Sequence, residues 1–93
     1  MTIITADLES DGIEVTGIAP GQNDQSARCT ATATKDGTTV SGSADVTVTN
    51  GNSYCPLIVL DRARLSSGTW QVVLRYDGTS ASGRSTAKAV VVP

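Results

Sequence analysis

Apolar and polar residues alternate along most of this chain, and no stretch sustains the 3.6-residue period of an amphipathic helix. The alternation is punctuated at Asp11-Gly12, Asp36-Gly37, Asn50-Gly51 and Asp77-Gly78, dipeptides that accept positive φ in two-residue hairpin turns. Ile4, Ala6 and Leu8 share one face of a first predicted strand, and Ile13 and Val15 follow after a turn. Cys29, Ala31 and Ala33 then point one way, while Arg28, Thr30, Thr32 and Thr34 point the other. Ala44, Val46 and Val48 make the next inward stripe. From Tyr54 to Leu60 the run is more continuously apolar, as in a strand covered on both faces or lying at a contact. Trp70, Val72, Leu74 and Tyr76 point inward from the following strand, and Ala87, Ala89 and Val91 from the last. About seven strands with turn signals roughly every ten residues predict an all-β chain, one antiparallel β-sandwich domain over residues 1–93. Short connections without crossover helices exclude a parallel sheet.

The stretch Leu65-Ser66-Ser67-Gly68-Thr69-Trp70-Gln71-Val72, preceded by Leu57 and Val59, carries a further signal. It resembles a corner found in bacterial and phage immunoglobulin-like and fibronectin III-like domains: Leu, a short polar turn, Gly-Thr-aromatic, then alternating Val. The resemblance covers roughly the last forty residues well and the first half loosely. It implies an immunoglobulin-like antiparallel β-sandwich with Leu65, Gly68, Trp70 and Val72 as corner and core. It says almost nothing about function. Trp70 stands where Tyr is usual, so an indole N–H replaces the corner hydrogen bond of the hydroxyl, or that bond is lost.

Composition limits the core. There is no Phe, one Trp and two Tyr, so Val, Ile, Leu and Ala must fill it. A chain of 93 residues buries a limited share of its surface, and its stability benefits from a crosslink. Cys29 shares a face with Ala31 and Ala33, and Cys55 shares parity with Leu57 and Val59. Two readings stand: a disulfide, or two buried thiols acting as small apolar residues. A bridge closing a loop of that length adds about 3–4 kcal/mol in the chain-entropy model. In antibody-type domains the second cysteine lies where this chain has Val72, so a Cys29–Cys55 bridge would differ from theirs.

Charge and missing residue types exclude several chemistries. The formal charge is −2, and the seven Lys and Arg are scattered without interleaved aromatics, which disfavours nucleic-acid binding. The longest apolar runs are only a few residues, so no membrane insertion is expected, and Met1 leads straight into Thr2-Ile3-Ile4 without the pattern of a signal peptide. The chain contains no His, which removes the commonest general base, the His-activated nucleophiles and most zinc sites. No Gly-rich phosphate loop is present. An enzyme and a cofactor are therefore not expected, and catalysis would need a cleft lined by Asp45, Asp61 or Asp77. Asp7-Leu8-Glu9-Ser10-Asp11-Gly12 opens like a calcium loop, yet Ile18 stands where the closing Glu belongs, so no metal is expected. A Lys–Asn isopeptide is disfavoured too: Lys35 lies in a turn, Lys88 has outward parity, and Asn23, Asn50 and Asn52 lie in loops.

What remains is a surface. Ile58 and Leu60 face outward if Cys55, Leu57 and Val59 face in, and Val73 and Val90 share that outward parity. They form either a docking patch rimmed by Arg62 and Arg64 or a second covered face. Two functions follow. The first is a bacteriophage virion accessory, a capsid decoration or tail-associated protein bound to a protein lattice. The second is a module of a secreted or cell-surface bacterial protein, an adhesin, spacer or carbohydrate-enzyme accessory, which meets neighbouring domains or surface glycans.

Overall fold

Nine strands and one 3-10 turn make up most of the computed structural model, which describes residues 1–93. They are β1 (Thr2–Glu9), β2 (Gly12–Ala19), β3 (Arg28–Lys35), β4 (Thr38–Asp45), β5 (Thr47–Thr49), β6 (Asn52–Asp61), β7 (Gly68–Asp77), β8 (Ser82–Arg84) and β9 (Lys88–Val92). The 3-10 turn, Arg62–Arg64, joins β6 to β7. Every pairing is antiparallel. A four-stranded sheet runs β1-β2-β6-β5, and a five-stranded one runs β4-β3-β7 with β8 and β9 both on the far side of β7. Nine strands stand where about seven were expected, because the stretch through Ala44, Val46 and Val48 divides between β4 and β5 and a short β8 precedes the expected last strand. At Val46 the chain leaves β4 and crosses to the other sheet as β5.

Local chemistry explains the tightest turns. Asp36 and Gly37 both take positive φ (49° and 81°) between the paired Lys35 and Thr38, and Asn50 and Gly51 do the same (52° and 75°) between Thr49 and Asn52. Positive φ at both central residues matches the twist of the flanking strands. Asp77-Gly78 instead opens a four-residue loop to Ser82. Gly12 is the first residue of β2 rather than a turn residue; its φ of 146° lies in the region L side chains avoid, and a Cβ there would stand 1.9 Å from the Leu60 carbonyl oxygen.

The core lies between the sheets. Ile13, Val15, Cys29, Ala31, Ala33, Leu60, Trp70, Val72 and Leu74 are essentially sealed from solvent. The alternation of β3 and β7 runs uninterrupted, as their unshifted pairing from Arg28–Asp77 to Thr34–Gln71 requires.

Three other strands depart from simple alternation, each at a one-residue irregularity. In β1 the register shifts between Ile3 and Thr5; Ile4 is the extra residue and is exposed, while Ile3 takes the half-buried place expected of it. In β6, Pro56 and Leu57 together oppose Thr16 of β2, because Gly17 pairs with Cys55 and Val15 with Ile58. Proline has no N–H to give a ladder, so a bulge is where a strand accommodates it. The extra residue reverses the parity beyond it. Cys55 faces the core, and so do Ile58 and Leu60, 4% and 1% exposed, whereas Leu57 and Val59 are 53% and 40% exposed. The third irregularity separates β8 from β9. Arg84 pairs with Arg75 and Lys88 with Val72, so Ser85-Thr86-Ala87 must oppose only Val73 and Leu74. The Ser85 N–H donates to the Leu74 carbonyl and the Leu74 N–H donates to Ser85 Oγ, which keeps both buried backbone groups satisfied across the break. Beyond it Val90 and Val92 point inward, and Ala87, Ala89 and Val91 are exposed, the reverse of the expected parity.

The parity reversal in β6 has a direct consequence for stability. Ile58→Ala should cost about 2–5 kcal/mol as a large-to-small core change. Leu57→Ala, expected from sequence to be the damaging one, should stay within about 0.5 kcal/mol. Chemical denaturation of the two variants checks this, and comparable losses would contradict the register.

Candidate functional site

The sequence-predicted residues fall into three separate places. Cys29 on β3 and Cys55 on β6 are joined by a disulfide, with Cα atoms 5.8 Å apart, and the bond ties the five-stranded sheet to the four-stranded one. Both cysteines are buried, so this is a staple inside the core.

The corner is the second place. Asp61 caps the 3-10 turn by accepting a hydrogen bond from the Ala63 N–H at 3.0 Å. The chain then turns at Leu65, which is buried, and enters β7 at Gly68. Trp70 Nε1 donates to the Ser66 carbonyl at 2.9 Å, so the indole supplies a corner hydrogen bond. Lys35, the last residue of β3 rather than a turn residue, caps the same corner: its Nζ lies 5.8 Å from the Trp70 ring centroid and donates to Ser66 Oγ at 3.0 Å. Val72 continues the stripe inside the core. These residues build the fold and present no reactive group to solvent.

The expected docking patch is corrected. Ile58 and Leu60 belong to the core cluster, and Arg62 and Arg64 sit on the 3-10 turn without an apolar centre to rim. Val90 is likewise buried. The apolar side chains that reach solvent on the four-stranded sheet are instead Leu57 and Val59 of β6 and Ile4 at the β1 bulge. Glu14, paired with Val59, adds negative charge beside it. Hydrogen bonding to Asp11, then desolvation and the charges of Asp11 and Glu9, hold its carboxyl above the usual carboxylate range.

Asp45, Asp61 and Asp77 do not share a cleft. Asp45 accepts from Arg28 Nη1 at 2.6 Å, Asp77 accepts from Arg75 Nε at 3.0 Å, and Asp61 caps its turn at the edge of the other sheet. No group of three or more His, Cys, Asp or Glu side chains is arranged to hold a metal ion. Asp7 lies 3.7 Å from Lys88 Nζ across the gap between β1 and β9.

Sequence reasoning missed Asp24. Its Oδ1 accepts from the Ser26 N–H and hydroxyl, and its Oδ2 accepts from the Thr79 N–H and hydroxyl. This one carboxylate therefore ties the β2–β3 loop to the β7–β8 loop. The Asp-x-Ser spacing signals the local half of the motif. Nothing in the sequence points to Thr79, which lies 55 residues away. The hydroxyls of Ser26 and Thr79 and then the two backbone N–H groups hold the Asp24 carboxyl far below the usual carboxylate range.

Above this loop pair the outer face of the five-stranded sheet is rich in hydroxyls and arginines. Comparison with protein-family models, with characterised proteins and with solved structures finds no match to this chain.

Two measurements test the ties. Replacing both cysteines by alanine should cost about 2–5 kcal/mol, the usual loss for a native disulfide in a small domain, read as the shift of the denaturation midpoint. Asp24→Asn should lower Tm at neutral pH. A depressed folded pKa gives stability that is complete above the unfolded value near ~3.9 and is lost as pH falls through the folded value. The Tm gap between wild type and variant should therefore narrow only below about pH 4, and a gap that is constant from pH 7 to pH 2 would remove Asp24 from this role.

Proposed function

We propose that the chain is a non-catalytic, immunoglobulin-like interaction module that docks on a protein lattice, as a capsid-decoration or tail-associated accessory of a bacteriophage virion. The strand order supports the immunoglobulin-like reading. β1-β2-β6-β5 follows the order A-B-E-D, and β4-β3-β7-β9 follows C′-C-F-G, the arrangement of that sandwich class. The usual inter-sheet bridge of antibody domains joins strands B and F; here the staple joins the counterparts of C and E instead. The observation that carries the docking role is the outer face of the four-stranded sheet. No element of the chain covers it, and Leu57 and Val59 present apolar surface there.

A second reading, a module of a secreted or cell-surface bacterial protein, is favoured by the disulfide. Such bonds form and persist in oxidising surroundings outside the cytosol. Both readings use the same fold and the same exposed sheet, and they differ in what the sheet meets.

The two are separated by locating the protein and by loading its face with charge. Purified virions should contain it in many copies, and Leu57→Asp combined with Val59→Asp should abolish incorporation while leaving the isolated domain folded. Recovery in the secreted or cell-wall fraction, with none in particles, would overturn the virion reading in favour of the second.

A further inference from the structure

The opposite face of the molecule carries a feature that the docking role does not use. Strand register places Ser43, Thr30, Arg75 and Arg84 side by side across β4, β3, β7 and β8. Neighbouring strands lie about 4.8 Å apart, so this row crosses the sheet over roughly 14 Å. Arg75 and Arg84 are direct cross-strand partners, and like charges placed opposite one another destabilise a sheet. Asp77 relieves that repulsion on the Arg75 side alone. Arg75 uses its Nε on Asp77 and keeps its two terminal nitrogens unengaged, while the Arg84 side chain makes neither an ion pair nor a hydrogen bond.

The two guanidinium groups stand in a shallow depression of about 250 Å³ shared with Thr30, Thr32 and Val73. Through Thr30 it continues into a second depression of about 390 Å³ with no hydrophobic residue in its lining, where Arg28, Ser43 and Thr79 add donors. The acids of this face are occupied. Asp45 is bound by Arg28, Asp77 by Arg75, and Asp24 by Ser26 and Thr79. Arg28 and Arg75 are thus neutralised by their aspartates and Asp24 remains an anion at the Thr79 end, so Arg84 is the positive charge left without a partner, and hydroxyls dominate the rest of the trough.

We propose that this trough binds an acidic polysaccharide, with a carboxylate or sulfate group seated between Arg75 and Arg84 and sugar hydroxyls meeting Thr30, Thr32 and Ser43. The planar, forked donors of arginine match the oxygens of carboxylate and sulfate. No aromatic ring is on offer for stacking: Trp70 and Tyr76 are buried, and Tyr54 lies on the other sheet. Neutral sugars and unstacked bases lose their usual platform here. The site is independent of the docking face, because it lies on the other sheet.

Titration of the ¹⁵N-labelled domain at low salt tests the proposal, using polygalacturonate as the carboxylate probe, heparin as the sulfate probe, and neutral dextran and duplex DNA as counter-probes. The expected result is that the amides of Thr30, Thr32, Arg75 and Arg84 shift with one or both acidic glycans, which identifies the preferred anion, and that added salt weakens the effect. Arg84→Gln should weaken binding about fivefold or more, since it removes a charged donor from an exposed site. Arg62→Gln, on the 3-10 turn, should leave binding unchanged. Unperturbed amides in the rest of the Arg84→Gln spectrum establish that this variant is folded. The proposal fails if neither acidic glycan shifts these amides, if dextran or DNA shifts them equally, or if Arg84→Gln binds as wild type does.

Discussion

The covalent tie between Cys29 and Cys55 holds together two sheets whose facing side chains are small. Five of the buried hydrophobic residues are alanines, and the only large aromatic at the centre is Trp70. Small side chains bring less apolar surface out of water, and a domain of this size has little to spare. The staple acts on the other side of the balance. By closing 26 residues of chain it lowers the entropy of the unfolded ensemble by about 3–4 kcal/mol at room temperature. That loop contains most of β3, all of β4 and β5 and the first residues of β6, including the crossing at Val46, so the bond also restrains the segment in which the chain changes sheets. Without it, the stretch from Val46 to Gly51 would depend on the three-residue β5 and on half-buried Val46 and Val48.

Most of the fold was legible from alternation because β3 and β7, the central pair, keep a perfect two-residue period. Cys29, Ala31 and Ala33, and Trp70, Val72, Leu74 and Tyr76, point inward as their spacing requires. The errors have a single physical origin. A period-two pattern assigns faces only while the register is continuous, and one extra residue inverts everything beyond it. Pro56 was the available sign in β6, since a proline inside a strand marks a bulge or an edge. In the last strand no sign was available: apolar residues at both parities, Ala87, Ala89 and Val91 against Val90 and Val92, fit either orientation. The extra residue at Ile4 was equally silent, because Ile3 and Ile4 are interchangeable to any pattern.

The candidate sites were less legible than the fold. Ile58 and Leu60, expected to face outward, face the core, an error inherited from the bulge at Pro56. Arg75 and Arg84 are nine residues apart in a chain whose basic residues look scattered, and only the pairing of β7 with β8 sets them opposite one another. The Asp24 tie likewise depends on two loops meeting at one end of the sandwich. The two outer faces therefore differ in character: one is apolar with acidic neighbours, the other hydroxylated with arginines. A module with two unlike faces can engage two partners at once, each through chemistry the other face lacks.

The irregularities that misled the alternation also bear on how the protein behaves in a crowd of its own copies. Open strand edges template pairing with other chains unless something blunts them. Of the four edges here, β1 carries a bulge and a bridge from Asp7 to Lys88, β5 is only three residues long, and the β8–β9 side is broken at Ser85-Thr86-Ala87. Two stretches of edge remain: β4, eight residues paired to β3 without a register shift and bordered by small hydroxyl side chains, and the part of β6 beyond β5, which Pro56 interrupts. Of these β4 is the longer and the unbroken one, so edge-to-edge pairing of this domain at high concentration would run along β4 first, and one lysine introduced at the middle of that strand would blunt it.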